Sequence, residues 1–252
     1  MEDHNNCQND WEERYTNCRY TDRLLSKLSE LNQQVSHPVD IYEIRKGIYY
    51  ARKYHGSQMR QSGDPYYSHP IEVAYMVAEY TALERPQYFR TDMIITSLLH
   101  DTIEDTTLTE DMIARIFGKK IASQVVDLTR VKSYGKISAA ETLDLLYSQN
   151  KKDILIIKLF DRLHNMQTIS AKSPEKVKKI LEETLISFVS FSMYLEIHAI
   201  KQNLIKLCYQ SLVIPQLLPK YHEMTLEGDS QPLCLTSQNE VAQMQTLSLL
   251  EP

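Results

Sequence analysis

The chain has 252 residues, 42% hydrophobic and 24% charged, a length that allows one large domain or two small ones. It holds only 6 glycines where average usage would give about 18. That disfavours a glycine-rich phosphate loop and an all-β sandwich with its many tight turns, and a mainly helical protein is expected. With 28 Lys plus Arg against 33 Asp plus Glu the net charge is −5, which argues against a nucleic-acid partner.

The opening Met1-Glu2-Asp3-His4-Asn5-Asn6 is acidic and polar, unlike a signal or transit peptide. The longest unbroken apolar run, Val73 to Ala78, is far shorter than the roughly 18 residues that span a bilayer, so no membrane partner is expected. Cys7, Cys18, Cys208 and Cys234 show no paired spacing and read as free thiols of a cytoplasmic protein.

Residues 1–36 form a polar, partly helical segment with one weakly amphipathic stretch, Asp22 to Leu31. Pro38 opens a helix in which Ile41, Ile44, Ile48 and Ala51 recur at helical spacing, ending near His55 before Gly56. After a turn at 61–65, His69-Pro70 predicts an N-cap and first helical position, with a helix to about Thr81. Thr91-Asp92 caps the next, through Asp105; others run from Thr109 to Phe117 and on to Thr129. Ser138 and Glu141 make a capping box for a helix to about Asn150. An apolar helix spans 152–168, Ser173-Pro174 starts a long one to about Ile197, and one more spans 199–213. No strand shows convincing alternation. The polar tail 214–252, with Pro215, Pro219, Gly228 and Pro232, is expected to be loosely ordered, leaving 37–213 as the domain.

The densest chemistry is His100-Asp101-Thr102-Ile103-Glu104-Asp105. On one continuous helix with His100 at zero, Glu104 falls at about 40°, Asp101 at about 100° and Asp105 at about 140°. Three carboxylates at a helix C-terminus oppose its dipole and call for a cation among them, most simply a metal ion. The plainer alternative is a solvated acidic helix end. In the 152–168 helix, apolar nearly all round, Lys158, Asp161, Arg162, Asn165 and Thr168 form a polar stripe that must face partners, a cavity or a ligand. A structural ion pair of Asp161 with Lys158 or Arg162 would also satisfy that spacing. His69, His100, Asp101 and Asp161 together, with no thiolate, suit Mn²⁺, Fe²⁺ or Zn²⁺. His55 and His164 read as supporting or core groups, and His4, His37, His198 and His222 as ordinary histidines.

These words resemble the hydrolase domain of the RelA/SpoT family within the HD phosphohydrolase superfamily: Arg60-Gln-Ser-Gly-Asp-Pro-Tyr66-Tyr-Ser-His69-Pro, Leu-Leu-His100-Asp101-Thr-Ile-Glu104-Asp105-Thr and Ile-Lys158-Leu-Phe-Asp161-Arg-Leu-His-Asn165-Met. The similarity runs from about Ile41 to Tyr209. It implies an all-α helical bundle with a metal site between helices, made of His69, His100, Asp101 and Asp161 and holding Mn²⁺. It implies that Glu104 and Asp105 position and deprotonate the attacking water, that Arg60 packs on guanine, and that Asn165 and Thr168 contact the nucleotide. Arg130, Lys158 and Arg162 are the further candidate cations for substrate phosphates. The implied reaction is hydrolysis of the 3′-pyrophosphate of a guanine nucleotide alarmone, (p)ppGpp, to GDP or GTP and pyrophosphate.

Gln61 stands where the family usually has lysine, Arg130 where it has lysine, and Phe160 where it has alanine. The family pattern after Leu185 is blurred, and the synthetase domain of long members does not follow, so no alarmone synthesis is expected. The same residues would serve an HD phosphohydrolase of another phosphorylated nucleotide, or a silent nucleotide-binding remnant.

Overall fold

The computed structural model describes residues 10–132 and 135–226, for 213–226 the helical backbone alone. The described chain is helical apart from one minute hairpin. It divides into two units, 1–211 and 212–252.

In the first unit, α1 (Asp10–Arg14) buries Trp11 among Tyr15, Tyr42 and Tyr49. Helix α2 (Arg19–Asn32) turns Leu24, Leu28 and Leu31 inward at helical spacing, so the weakly amphipathic stretch contributes a fully buried face. In α3 (Ile41–His55), Asp40 caps the start by accepting from the amides of Tyr42 and Glu43. Gly56, at φ 51°, ends it in a conformation that glycine adopts at little cost. Gly47 brings α3 close to the next buried helix: a Cβ there would lie 3.3 Å from Leu98 Cδ1.

Helix α4 (Ser68–Glu84) begins two residues earlier than expected. Turn bonds from Ser68 N to Pro65 O and His69 N to Tyr66 O start the coil, so His69 is its second residue rather than its cap. Pro70, at the third position, still falls where an amide has no intrahelical partner. Helix α5 (Thr91–Leu99) is buried continuously from Met93 to Leu99 and packs against α3 and α4.

The expected helix through Asp105 is broken. His100 closes α5, Asp101 precedes a single turn, α6 (Thr102–Asp105), and both have αR backbone angles. His100 Nδ1 takes Ser97 O at 2.7 Å, and Thr102 Oγ1 takes Leu99 O at 2.7 Å. Those side chains compete for carbonyls that a continuing helix would offer to amides. Asp101 therefore precedes a single turn of which Glu104 and Asp105 are the last two residues, and one turn carries little dipole of either sign.

Helices α7 (Glu110–Phe117) and α8 (Lys119–Leu128) follow, and the capping box at Ser138 starts α9 (Ala139–Ser148) as expected. Between α8 and α9, β1 (Val131–Lys132) pairs antiparallel with β2 (Gly135–Lys136), too short to show alternation. Helix α10 (Lys152–Gln167) is buried from Ile154 to Leu163, and Phe160 finds its room against Tyr80 of α4, ring centroids 5.4 Å apart. Helix α11 (Pro174–Glu183) passes through a π-helical turn, Thr184–Phe188, into α12 (Val189–Tyr194).

Helix α13 is His198–Leu226. Its backbone continues past Pro215 and Pro219, where a loose tail was expected to begin; Leu212, Val213, Ile214, Leu217 and Leu218 supply an apolar run around the two prolines. The remainder of that tail, 227–252, lies outside the described residues. Cys18 and Cys208 are free thiols, while Cys7 and Cys234 are outside the described residues.

Candidate active site

Helices α4, α5 and α10 bring His69, His100, Asp101 and Asp161 to one point. Asp101 Oδ2 lies 3.1 Å from His100 Nε2 and 3.6 Å from His69 Nε2; Asp161 Oδ1 lies 3.7 Å and 3.2 Å from the same nitrogens. Both imidazoles are 1% exposed, and neither Nε2 makes a hydrogen bond despite this proximity. Buried polar atoms are rarely left so. Ligands about 2.0–2.2 Å from a shared ion would sit roughly 3.0–3.6 Å from each other. The donor set and its spacing therefore fit a divalent cation.

The neighbours orient that set. His100 Nδ1 donates to Ser97 O, which leaves Nε2 as the lone-pair nitrogen in the neutral ring. His69 Nδ1 meets His164 Nδ1 at 2.8 Å. Burial first, then the neighbouring His69 and Arg60, push His164 down to about 3, so it stays neutral and can accept from His69. His164 thus supports His69, as a histidine beside the motif suggests. Asn165 Nδ2 donates to Asp161 Oδ1 at 2.6 Å, and Lys158 Nζ to Asp161 Oδ2 at 3.3 Å. Burial opposes charge on His100, yet Asp101 and Asp161 push it up to about 10; a proton there answers the carboxylates that a metal cation would otherwise answer. Asp101 and Asp161 are held well below the usual carboxylate range by the imidazoles and, for Asp161, by Lys158, against the opposing effect of burial.

Above this floor lies a cavity of about 410 Å³ lined also by Arg60, Tyr66, Glu104, Asp105, Arg130, Lys158, Arg162, Asn165, Thr168 and Lys172. Every expected site residue lines it except His100, which is buried beneath. Their partners differ from those read along the helix. Glu104 is answered by Arg130 Nη2 at 2.9 Å, Lys136 Nζ at 2.6 Å and the Arg130 amide at 3.2 Å. Despite burial, these hold it below the usual range. Glu104 is not an uncompensated acid, and Arg130 is committed to it.

Asp105 is exposed and accepts from Tyr66 Oη at 2.7 Å; the same hydroxyl lies 3.1 Å from Asp101 Oδ2. Burial and these carboxylates push the Tyr66 phenol well above its ordinary range, so it stays protonated as a donor. Tyr66 stacks on His55, which itself bonds Gln58. Arg162 does not pair with Asp161. It pairs with Glu183 just before the π-helical turn and lies 4.0 Å over the Phe188 ring. Arg60 Nη2 donates to Asn165 Oδ1 at 3.1 Å and Thr168 Oγ1 at 3.2 Å, so these three act as one group.

Sequence reading missed Tyr66, Lys136 and Lys172. Tyr66 stands three residues before His69, where a following helix turn returns it to the same place, and that spacing was the available signal. Nothing local marks the other two.

The described residues include no helix long and apolar enough to cross a membrane. A buried His–Asp cluster between helices, roofed by a polar cavity, agrees with the family match: residues 47–197 fit the HD domain, and the chain belongs to that family. Within it the chain is similar to RelA/SpoT proteins. It is 35% identical over 190 residues to "GTP pyrophosphokinase rsh" of Brucella ovis, covering 73% of this chain and 24% of the relative. It is 33% identical over 195 residues to "Bifunctional (p)ppGpp synthase/hydrolase SpoT" of Escherichia coli K12, covering 75% and 27%. The match spans about a quarter of these relatives' length. A solved structure described as a metazoan ortholog of SpoT that hydrolyzes ppGpp aligns with TM-score 0.48 and 19% identity, covering 67% of this chain and 95% of that one.

Proposed function

We propose that this chain hydrolyses the 3′-pyrophosphate of (p)ppGpp, releasing pyrophosphate and GDP or GTP, with Mn²⁺ or another divalent metal. The observation that carries the metal-dependent part is the pair of buried, unbonded Nε2 atoms of His69 and His100 facing Asp101 and Asp161 at the cavity floor. His69, His100, Asp101 and Asp161 would hold the ion, which when bound lowers the pKa of water and screens phosphate charge. The guanine nucleotide rests on similarity to relatives whose names include hydrolysis of (p)ppGpp. Those names also cover synthesis, and the reading here concerns hydrolysis by the HD region alone.

The chain's own residues divide the work. Asp105 is exposed to the cavity and bonded to a hydroxyl only, so it is the better placed proton acceptor. Tyr66 fixes its carboxylate. Glu104, ionised between Arg130 and Lys136, holds Arg130 at the cavity wall. Water attacks phosphorus, the bond to the 3′ oxygen breaks, and the 3′ oxygen gains a proton. Asn165, Thr168 and Arg60 present a planar edge and a guanidinium face on which a base can stack.

The test is pyrophosphate release from ppGpp with added Mn²⁺, with and without a chelator. Release that the chelator abolishes supports the reading. Nucleotide binding without release would support the silent remnant, and release only from other phosphorylated nucleotides would support a different substrate.

A further inference from the structure

The cations around the cavity are in two conditions. Arg130 and Lys136 are matched by Glu104, Lys158 by Asp161 and Arg162 by Glu183. An added phosphate must compete with those carboxylates. Arg60 and Lys172 are different. Arg60 donates side-chain bonds to the neutral Asn165 and Thr168, with the charge of Asp64 acting on it from across the turn. The charges that act on Lys172 are all positive, from Arg60, Lys176 and Arg162, and with partial burial they push its amine down. Gln61, also on the cavity wall, brings no charge.

Local structure holds Lys172 in place. It follows a single 3₁₀ turn, Ile169–Ala171, donates its amide to Ile169 O at 3.0 Å, and has extended backbone angles before Ser173 and the proline that opens α11. Like charges gathered without a counter-ion are unfavourable unless an anion joins them. On the phosphohydrolase reading the floor cluster takes the phosphate group that reacts. Lys172, on the cavity wall with no carboxylate acting on it, is available to another.

We propose that Lys172, beside Arg60, is the specificity-determining contact for a second phosphate-bearing group of the substrate, separate from the one that reacts. The ligand class is a nucleotide phosphorylated at two positions, with the 5′ phosphates on Lys172. This rests on the phosphohydrolase reading and adds to it a residue and a selection rule: a nucleotide without 5′ phosphates would leave Lys172 unused.

The experiment titrates GDP and guanosine into the Mn²⁺-loaded wild-type, Lys172→Ala and Lys172→Arg proteins by calorimetry, since neither ligand carries a 3′-pyrophosphate. Lys172→Ala is expected to weaken GDP roughly 10-fold and guanosine less than about 2-fold, and Lys172→Arg to keep most GDP affinity. In parallel, Lys172→Ala should raise KM for ppGpp by a similar factor with kcat within about 2-fold. Equal losses for GDP and guanosine, or an unchanged GDP affinity, overturn the assignment. Failure of the wild type to release pyrophosphate from ppGpp overturns the phosphohydrolase reading instead, and the GDP titration still decides Lys172.

Discussion

At the floor of the cavity, His69, Asp101 and Asp161 stand on or beside helices buried along most of their length, and His100 lies wholly beneath. At its wall, Arg60, Arg130 and Lys172 come from a turn, the residue before a two-residue strand and a loop. The floor is fixed by hydrogen bonds to Ser97 O and His164 and by those that Asn165 and Lys158 donate to Asp161. The wall is fixed by ion pairs, or by bonds to neutral groups, nearer to solvent. Changes at the floor should be close to all-or-none, and changes at the wall should be graded.

The largest effect is expected at the floor. Asp101→Ala removes one of the two carboxylates facing both imidazoles and should abolish bound metal together with more than about 10⁴-fold of the rate. Metal content by elemental analysis and pyrophosphate release measure it. Full metal occupancy in this variant would show that the floor is not the metal site. Without metal, the variant need not be less stable than the metal-free parent, because one buried charge has gone.

Next comes Glu104, at the junction of the two regions. Glu104→Gln removes the charge that Arg130 and Lys136 share but leaves His69, His100, Asp101 and Asp161 untouched. It should keep its metal and lose roughly 10-fold in kcat/KM, because Arg130 and Lys136 lose the carboxylate that holds them. Loss of metal as complete as in Asp101→Ala would place Glu104 on the floor rather than the wall. Asp105→Asn sharpens the division. If Asp105 is the proton acceptor, its kcat loss should exceed that of Glu104→Gln.

The third expectation concerns stability. Arg162, 8% exposed, is held by Glu183, just before the π-helical turn, and by Phe188, its last residue. Arg162→Ala would leave the half-buried Glu183 with no cation and should cost about 1–3 kcal/mol, less than breaking a fully buried pair. Denaturant unfolding reads it. A variant of parental stability with a raised KM would return Arg162 to the substrate cations.

Much of this frame was legible in the sequence, and the failures share one cause. The end of α3 at Gly56, the capping box at Ser138 and the polar stripe on α10 depend on residues within one or two turns of each other, whereas α3 starts after Asp40 and not at Pro38. Periodicity and capping report such spacing directly. The break at His100 was hidden because it rests on side chains taking backbone carbonyls, which the apolar pattern of Ile95, Leu98 and Leu99 does not reveal. Glu104 meets Arg130 across 26 residues of sequence, and Arg162 meets Glu183 across 21. No local rule chooses such partners over nearer ones, so Asp161 was a reasonable but mistaken partner for Arg162. The cluster itself was legible because histidine and aspartate on apolar helices need a reason to be buried.

The smallest effect separates the two regions most cleanly. Arg60 reaches Asn165 and Thr168 through one nitrogen, Nη2, leaving the rest of its guanidinium plane for a ligand. Lysine at the same place keeps the charge but loses the flat face and the fork of donors. Arg60→Lys should therefore raise KM for ppGpp about 10-fold, leave kcat within about 2-fold, and leave metal affinity as it was. The comparison with a substrate lacking the purine decides what has been lost. If the plane serves the base, the variant should bind inorganic pyrophosphate as the parent does, whereas a purely electrostatic role would leave ppGpp and pyrophosphate binding both unchanged. A fall in metal affinity would mean that the wall reaches the floor through Asn165, which bonds Arg60 on one side and Asp161 Oδ1 on the other. In that case the two regions would be one mechanical unit, and Asn165→Ala should reproduce both losses together.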